Sequence, residues 1–357
     1  MPTYKDEKTN TWYCKFYYTD INGSKKQKLK RGFKLQREAK EWERNFLETR
    51  SLDVNVKFKN FLEQYYKDAE SRLRQSTLEN KKTLINLKIL PYFQDMTLSE
   101  IRPVHVRQWQ NTLLSYTDEN GKPYAQTYLK TINNQLSAIF NYAVRYYDLK
   151  ENPCHKAGSM GKKHAEEMQI WTYEEFQKFI QANDKPQAYA AFSILYFTGM
   201  RIGELLALTW KDIDMDNNTI SISKSYQRIN REDVITKPKT PKSNRTIVIF
   251  NHLAEIIREY KSHIYKPHAN DRVFQCTKHF FEHEIKRICA KSEVKKIRIH
   301  DIRHSHASLL IELGFSPLLI AERLGHENIE TTLNTYSHLY PNKQVELAEK
   351  LQILVSK

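Results

Sequence analysis

Three stretches of the 357-residue chain set arginine, histidine and tyrosine side chains at helix ends beside apolar text. In RIHDIRHSHASLLIELG, residues 298–314, Ala307, Leu310, Ile311 and Leu313 mark a buried helix closed by Gly314. His300 and Arg303 are three apart, so both project from one face of its first turn. A helix N-terminus carrying an imidazole and a guanidinium suits an anion. Arg201 stands where MRIGELLAL, residues 200–208, begins a helix between two apolar segments. An arginine there is costly unless paired, and Glu204 at i+3 is its plain structural partner. Residues 317–324 read as a further helix capped by Gly325, with His326 emerging just past the cap. In the polar helix that follows, ENIETTLNTYSH, Tyr336 stands among threonines and an asparagine, a setting for a hydroxyl more than for a ring. Taken singly, each feature also fits an ion pair, a satisfied histidine or a surface tyrosine.

Other chemistries find less support. Lys237, Lys239, Lys242 and Arg245 lie in a Pro-punctuated connection between two β-favouring runs, TISISKS at 219–225 and TIVIF at 246–250. A mobile basic hairpin beside DNA has this composition, and so has a solvated loop. HFFEH at residues 279–283 fits the HxxEH zinc pattern, but Phe280 and Phe281 suit a helix packing its apolar side, and no third ligand is signalled. His300, His304 and His306 form a second metal candidate, although His304 and His306 do not share a helical face. There is no P-loop, no GxGxxG and no paired-carboxylate cluster for Mg²⁺. The cysteines, Cys14, Cys154, Cys276 and Cys289, are scattered without a CxxC pair and read as reduced thiols.

Charge and periodicity describe the elements that must position these groups. Lys plus Arg number 57 against 42 Asp plus Glu, a formal charge of +15, which favours a polyanionic partner through counterion release. Hydrophobic residues at 40% and aromatics at 12% exclude disordered and low-complexity classes. No apolar run approaches the roughly 18 residues of a membrane span, and the first residues lack the apolar stretch of a signal peptide; the expected location is the cytoplasm, without membrane partners. Residues 11–19 (TWYCKFYYT) and 28–34 read as strands around an Asn22-Gly23 turn, followed by a helix over 35–49. Lys25, Lys26, Lys28, Lys30, Arg31 and Lys34 place six cations in ten residues, either a lysine-protected strand edge or a β-face laid against phosphates. Residues 54–148 have helical periodicity in four segments, with Lys81, Lys82, Lys88, Arg107 and Lys130 on their exposed faces. Periodicity stops over 151–168, where Pro153, Gly158, Ser159 and Gly161 break structure.

Taken together, Arg201, Lys239, His300, Arg303, His326 and Tyr336 occur in an order that resembles the tyrosine recombinases, the phage-integrase family. The matching text is TGMRIGELLALTW, KTPKSNRTIVI, HDIRHSHASLL and LGHENIETTLNTYSH, four boxes in correct order across one domain. The basic N-terminal residues resemble the arm-site-binding domain of integrases from Gram-positive phages, islands and conjugative transposons, and the helical segment resembles their core-binding domain. The resemblance implies a multidomain α+β protein: a small sheet-plus-helix arm domain at 1–52, an all-α four-helix core-binding SAM-like domain at 53–152 and a linker at 153–168. A mainly α catalytic domain with a small antiparallel sheet occupies 169–357. It implies that Arg201 and Arg303 hold the non-bridging oxygens of a DNA phosphate and that Tyr336 attacks it, with His300 assisting proton transfer. His326 then hydrogen-bonds the phosphate and Lys239 protonates the leaving 5′-oxygen. The expected product is a 3′-phosphotyrosyl intermediate leading to a Holliday junction, without cofactor, metal or ATP. DNA contacts are expected from Lys25, Lys26, Lys28, Lys30, Arg31, Lys34, Lys81, Arg107, Lys130, Lys242 and Arg245.

Expected partners are double-stranded DNA at core and arm attachment sites, further copies forming a homotetramer on two duplexes, and an excisionase-type directionality factor. A helix over 343–355, with Leu347, Leu351, Leu354 and Val355 on one face, is expected to close its own domain or to pack on a neighbouring protomer. The pattern departs in one place: Tyr336 lies ten residues after His326, where many relatives have nine. A spacing of nine falls on Thr335, and Tyr340 lies four beyond Tyr336. A type IB topoisomerase-like relaxing enzyme and a non-catalytic DNA-binding regulator are the alternative readings.

Overall fold

The computed structural model describes residues 3–7, 9–19, 25–50, 55–162, 168–238, 240–339 and 352. The Asn22-Gly23 turn, Lys239, Tyr340 and, apart from Gln352, the helix expected over 343–355 lie outside the described residues. The chain divides into two compact units, residues 1–166 and 167–357.

In the first unit, β1 (Thr3–Asp6), β2 (Thr11–Thr19) and β3 (Lys25–Phe33) form an antiparallel sheet in that order, and α1 (Gln36–Arg50) packs on it. Alternation along β2 buries Cys14 and Phe16 on the α1 side, where Phe16 meets Trp42 and Phe46, and leaves Tyr17 70% exposed on the other. The same alternation divides the basic arm. Lys26, Lys28 and Lys30 pair with Tyr18, Phe16 and Cys14 and so share the helix side, with Lys28 over the Phe46 ring. Lys25 and Arg31 lie on the open side, Arg31 over Tyr13. The six cations are therefore not one continuous β-face.

The helical segments follow as α2 (Phe58–Arg72), α3 (Gln75–Lys88), α4 (Leu90–Phe93), α5 (Pro103–Leu114) and α6 (Gln126–Tyr146). The α6 stripe buries Leu129, Ile132, Leu136, Ile139, Phe140 and Ala143, as its 3.6-residue spacing requires. The segment expected as a linker begins differently. Asn152 caps α7 (Pro153–Ala157), Cys154 and Met160 enter the helical core, and Gln110 Nε2 donates to the Gly158 carbonyl at 2.8 Å. The breakers here shape a turn that packs against the helices instead of releasing the chain; residues 163–167 lie outside the described set.

The second unit is built around α9 (Pro186–Thr198), which is buried on nearly all sides and packs against α8 (Tyr173–Gln181), α10 (Ile202–Ala207), α11 (Asn251–Ser262) and α13 (Ile299–Glu312). Its sequence, PQAYAAFSILYFT, is apolar all round, as a central helix must be. Each fully buried Phe, Leu or Ile contributes about 1.5–3 kcal/mol of transfer free energy, so α9 is the rigid reference for what surrounds it. Strands β4 (Ile213–Asp214), β5 (Thr219–Ile222) and β8 (Arg245–Val248) form one small antiparallel sheet. Strands β6 (Ser225–Ile229) and β7 (Glu232–Thr236) form a separate hairpin within the Pro-punctuated connection, whose composition fits both a basic hairpin and a solvated loop. Its two-residue turn places Asn230 at φ 50° and Arg231 at φ 70°, the positive pair that a type I′ turn needs. Helices α12 (Lys278–Ser292), α14 (Pro317–Leu324) and α15 (Ile329–Tyr336) complete the described unit.

Candidate active site

Gly199 ends α9 in the left-handed region, φ 65° and ψ 15°. Its backbone runs so close to α13 and α14 that an added methyl would lie 2.4 Å from His306 Cδ2 and 2.7 Å from Leu324 Cδ2. The turn frees the Gly199 carbonyl to accept Arg303 Nη1 at 2.8 Å, while Arg303 Nη2 donates to the Leu324 carbonyl at 2.7 Å. Both carbonyls lie at helix C-terminal ends, where backbone dipoles present negative charge. Arg303 is only 3% exposed. Burial, then the neighbouring Arg201, draws its pKa down to about 9, which still leaves the guanidinium charged at neutral pH.

Arg201 precedes α10. Its backbone N–H donates to Glu204 Oε2 at 2.9 Å and its Nη1 to Oε1 at 2.8 Å. Glu204, 4% exposed, also accepts Arg245 Nη2 at 2.8 Å and Nη1 at 3.3 Å. Burial alone would raise this carboxyl; the hydrogen bonds and charge of Arg245, then of Arg201, outweigh it and hold the group below the ordinary carboxylate range. Glu204 is thus a fixed anion between two guanidinium groups. The Arg201 side chain remains 39% exposed, so it keeps N–H groups for a ligand.

Arg245 requires a correction. Expected among the DNA-facing cations, its side chain is 7% exposed, and its N–H groups are taken by Glu204, the Ser243 carbonyl and, through Nε, the Arg323 carbonyl at 2.8 Å. The β-period of strand β8 turns it inward. Lys242 is exposed and reaches the Glu327 carbonyl at 2.9 Å. In the first unit Lys25, Lys26, Lys30, Arg31, Lys34 and Arg107 are exposed and Lys28 is half-buried. Lys81 bonds the Tyr65 hydroxyl at 2.8 Å, Lys130 bonds Ser159 Oγ at 2.6 Å, and Arg107 reaches the Ala157 carbonyl at 3.4 Å.

Helix α13 opens with Arg298 bound to Asp301 through its backbone and side chain. His300 lies on the first turn and His304 on the second, their rings perpendicular with centroids 5.1 Å apart. Partial burial and the Arg303 charge lower the His300 pKa. Burial and then His300 lower that of His304 to about 4. His304 Nδ1 lies 2.7 Å from the Tyr336 hydroxyl. Tyr336 is 1% exposed and packs with Ala307, Ile311, Ile320 and Leu324. The ring is therefore a core element as well as a hydroxyl carrier, which the polar sequence around it hides. Burial pushes its pKa up to about 12 against the opposing effect of Arg303, so at neutral pH the phenol keeps its proton beside the neutral imidazole. Thr335 turns its hydroxyl back to the Thr331 carbonyl at 2.6 Å. His326 Nδ1 lies 2.8 Å from Thr332 Oγ1, and burial with Arg303 and Arg201 lowers its pKa to about 4.

Arg201, His300, Arg303, His326 and Tyr336 thus converge where α9, α13, α14 and α15 meet, each within the field of Arg303 or Arg201. Two contributors escaped the sequence reading. His304 was weighed only as a metal ligand, although its i+4 spacing from His300 places it on the same face. Arg323 donates to His306 Nε2 at 3.3 Å and to the Phe197 carbonyl at 3.0 Å, bracing α14 against α9 and α13. Among the described residues, no group of three His, Cys, Asp or Glu side chains is placed to hold a metal ion.

Residues 169–343 match the phage integrase family, residues 57–114 the N-terminal SAM-like domain of phage integrases, and residues 2–49 an arm DNA-binding domain. The ICEBs1 integrase of Bacillus subtilis is 32% identical over 353 residues, covering 94% of this chain and 92% of that protein. The chain belongs to the phage integrase family. It is a tyrosine-type site-specific DNA recombinase. The integrase of the Tn1549 transposon, solved in complex with transposon right end DNA, has the same fold at a TM-score of 0.64 and 20% identity, over 83% of this chain and 99% of that one. Lambda integrase, solved as a tetramer bound to a Holliday junction, gives 0.56 at 18% identity, over 92% and 96%.

The histidines of this recombinase should make its catalytic unit acid-labile. His306, 2% exposed, is lowered to about 3 by burial and then Arg323, and His304 and His326 to about 4. Because the folded pKa values lie below the unfolded value near 6.5, the unfolded chain takes up protons first as pH falls. The stability contributed is whole above about pH 6.5 and is lost through the interval down to these values. His306 alone should cost about 1.4 kcal/mol per pH unit there; the half-buried pair adds less. Urea midpoints of the catalytic unit from pH 7.5 to 4.5 should fall steeply below 6.5, and His306→Asn should flatten the fall.

Proposed function

We propose that this recombinase integrates, and excises, a mobile element by cutting each DNA strand with Tyr336 and storing the linkage as a 3′-phosphotyrosine. The observation that carries this is the gathering of Arg201, His300, His326 and the buried Tyr336 around the Arg303 guanidinium, with His304 Nδ1 2.7 Å from the Tyr336 hydroxyl. A phosphorane carries extra negative charge, and Arg201 and Arg303 are preorganised to absorb it without reorienting; one such donor is typically worth roughly 3–4 kcal/mol of barrier. The Tyr336 oxygen forms a bond to phosphorus as the P–O5′ bond breaks, and the departing 5′-oxygen takes a proton, a role we give to Lys239. A 5′-hydroxyl from the partner duplex then attacks the phosphotyrosine and frees Tyr336. One phosphodiester-type bond is exchanged for another at each step, so the sequence needs no ATP.

In this reading residues 1–52 hold arm sites, 53–152 grip the core site, 153–168 connect them to the catalytic domain at 169–357, and four copies work on two duplexes through a Holliday junction. The tetramer is carried over from what lambda integrase assembles, and the arm-type domain argues against a general relaxing enzyme. An excisionase-type partner would bias direction, and the reactions would run in the cytoplasm of a bacterial host, on the nucleoid.

The test is covalent trapping on a nicked duplex that carries the element's core site. Wild type should leave a protein–DNA adduct resistant to denaturant, and Tyr336→Phe should leave none while retaining mobility-shift binding. An adduct formed equally by Tyr336→Phe would reject the assignment, and relaxation of plasmids without the site would favour a topoisomerase.

A further inference from the structure

We propose that His304 receives the phenol proton when Tyr336 attacks, the part that the family resemblance gives to His300. The proposal rests on the strand-cleavage reading above. His304 makes the contact with the reacting oxygen: its Nδ1 stands 2.7 Å from the Tyr336 hydroxyl, within the range of a hydrogen bond along which a proton can pass. With Nδ1 accepting, the neutral ring carries its hydrogen on Nε2. His300 sits one turn earlier, at the exposed start of α13, with its ring set edge-on to that of His304.

The contact is built, not incidental. Arg298 and Asp301 lock the first turn of α13, and Ser305 Oγ holds the backbone N–H of Trp171 at 2.9 Å, so the second turn that carries His304 is fixed on both sides. The Tyr336 ring is clamped in its own small apolar cluster. Both partners are therefore held before DNA arrives.

The groups acting on His304 are His300, Asp301, Arg303 and Arg298. Three of the four are basic, and together with burial they keep the imidazole neutral with its lone pair available. A phosphate bound between Arg201 and Arg303 would offset that field and make the ring a stronger base when the substrate is in place. The balance is complete: the Tyr336 O–P bond forms, the P–O5′ bond breaks, and the phenol proton passes to His304 Nδ1. On religation the imidazolium returns that proton to the departing tyrosine oxygen.

Single-turnover cleavage of the nicked core duplex tests this with His304→Ala, His304→Gln and His300→Gln, on the natural substrate and on one with sulfur in place of the bridging 5′-oxygen. A sulfur leaving group needs no proton, so it relieves defects on the leaving-group side only. His304→Ala and His304→Gln should slow cleavage by about 10²- to 10⁴-fold on both substrates with DNA binding retained. Added imidazole should restore part of the His304→Ala rate and should not raise that of His300→Gln. A Lys239→Ala defect should be relieved by sulfur. The proposal is overturned by His304 variants cleaving within about threefold of wild type, by sulfur relieving their defect, or by imidazole rescuing His300→Gln instead. If wild type itself forms no tyrosine adduct, the strand-cleavage reading fails; if wild type traps and the His304 variants match it, only this inference fails.

Discussion

Replacing Arg303 by alanine is expected to remove detectable strand cleavage and to loosen the catalytic unit at once. The guanidinium is a preorganised cation at the phosphate position, and deleting one such donor typically lowers the rate by about 10²- to 10³-fold. It is also the donor to the Gly199 and Leu324 carbonyls, both beside buried side chains, and an unsatisfied buried acceptor costs about 1–3 kcal/mol. Arg303→Lys separates the two effects. It keeps a charge but only a point-like donor, which cannot span both carbonyls in the guanidinium's fork geometry. Adduct formation at saturating DNA should therefore stay low in both variants, while the urea midpoint recovers partly in Arg303→Lys. Near-normal adduct formation in Arg303→Ala would remove Arg303 from the clamp.

The larger stability effect is expected from Glu204→Ala. This carboxylate is 4% exposed and ion-paired to Arg201 and Arg245. Removing it leaves the buried Arg245 guanidinium without its counter-charge, a change that typically costs about 3–5 kcal/mol. Arg201 would also lose the two contacts that fix its direction, so cleavage should fall together with the unfolding midpoint. Glu204→Gln retains a hydrogen-bond acceptor without the charge and should lie between the two. Chemical denaturation read by Trp fluorescence, paired with single-turnover cleavage, checks both. A Glu204→Ala protein as stable as wild type would mean that the guanidinium groups find other partners.

The elements legible in the sequence are those with local signals. Pro186 and Gly199 bracket α9, Ser316 and Gly325 bracket α14, and the apolar stripe of α6 shows its buried face by spacing alone. The Arg201–Glu204 pair is equally visible, because i+3 spacing is geometry. What stayed hidden depends on long-range packing. The β6–β7 hairpin lacks the Asn-Gly signature and turns through Asn230-Arg231, so the sequence leaves a basic hairpin and a solvated loop equally open there. Arg245 looks like every other cation in that stretch, and only the register of β8 against β5 shows that it faces Glu204. His304 and Tyr336 are thirty-two residues apart, and no local pattern announces that α15 folds back to bring them into contact. The open and helix sides of the N-terminal sheet likewise become distinguishable only once β2 and β3 are paired.

Arg303 is gripped by main-chain oxygens, and this shapes how the protein can diverge. A carboxylate partner can be lost to one base change, whereas a carbonyl survives every substitution at its own position. Relatives could therefore exchange most of the surrounding side chains and still keep this guanidinium aimed, provided the chain's path is kept. Selection on the clamp should then fall less on acids that neutralise it than on the two glycine corners, Gly199 and Gly325, that steer those oxygens toward it.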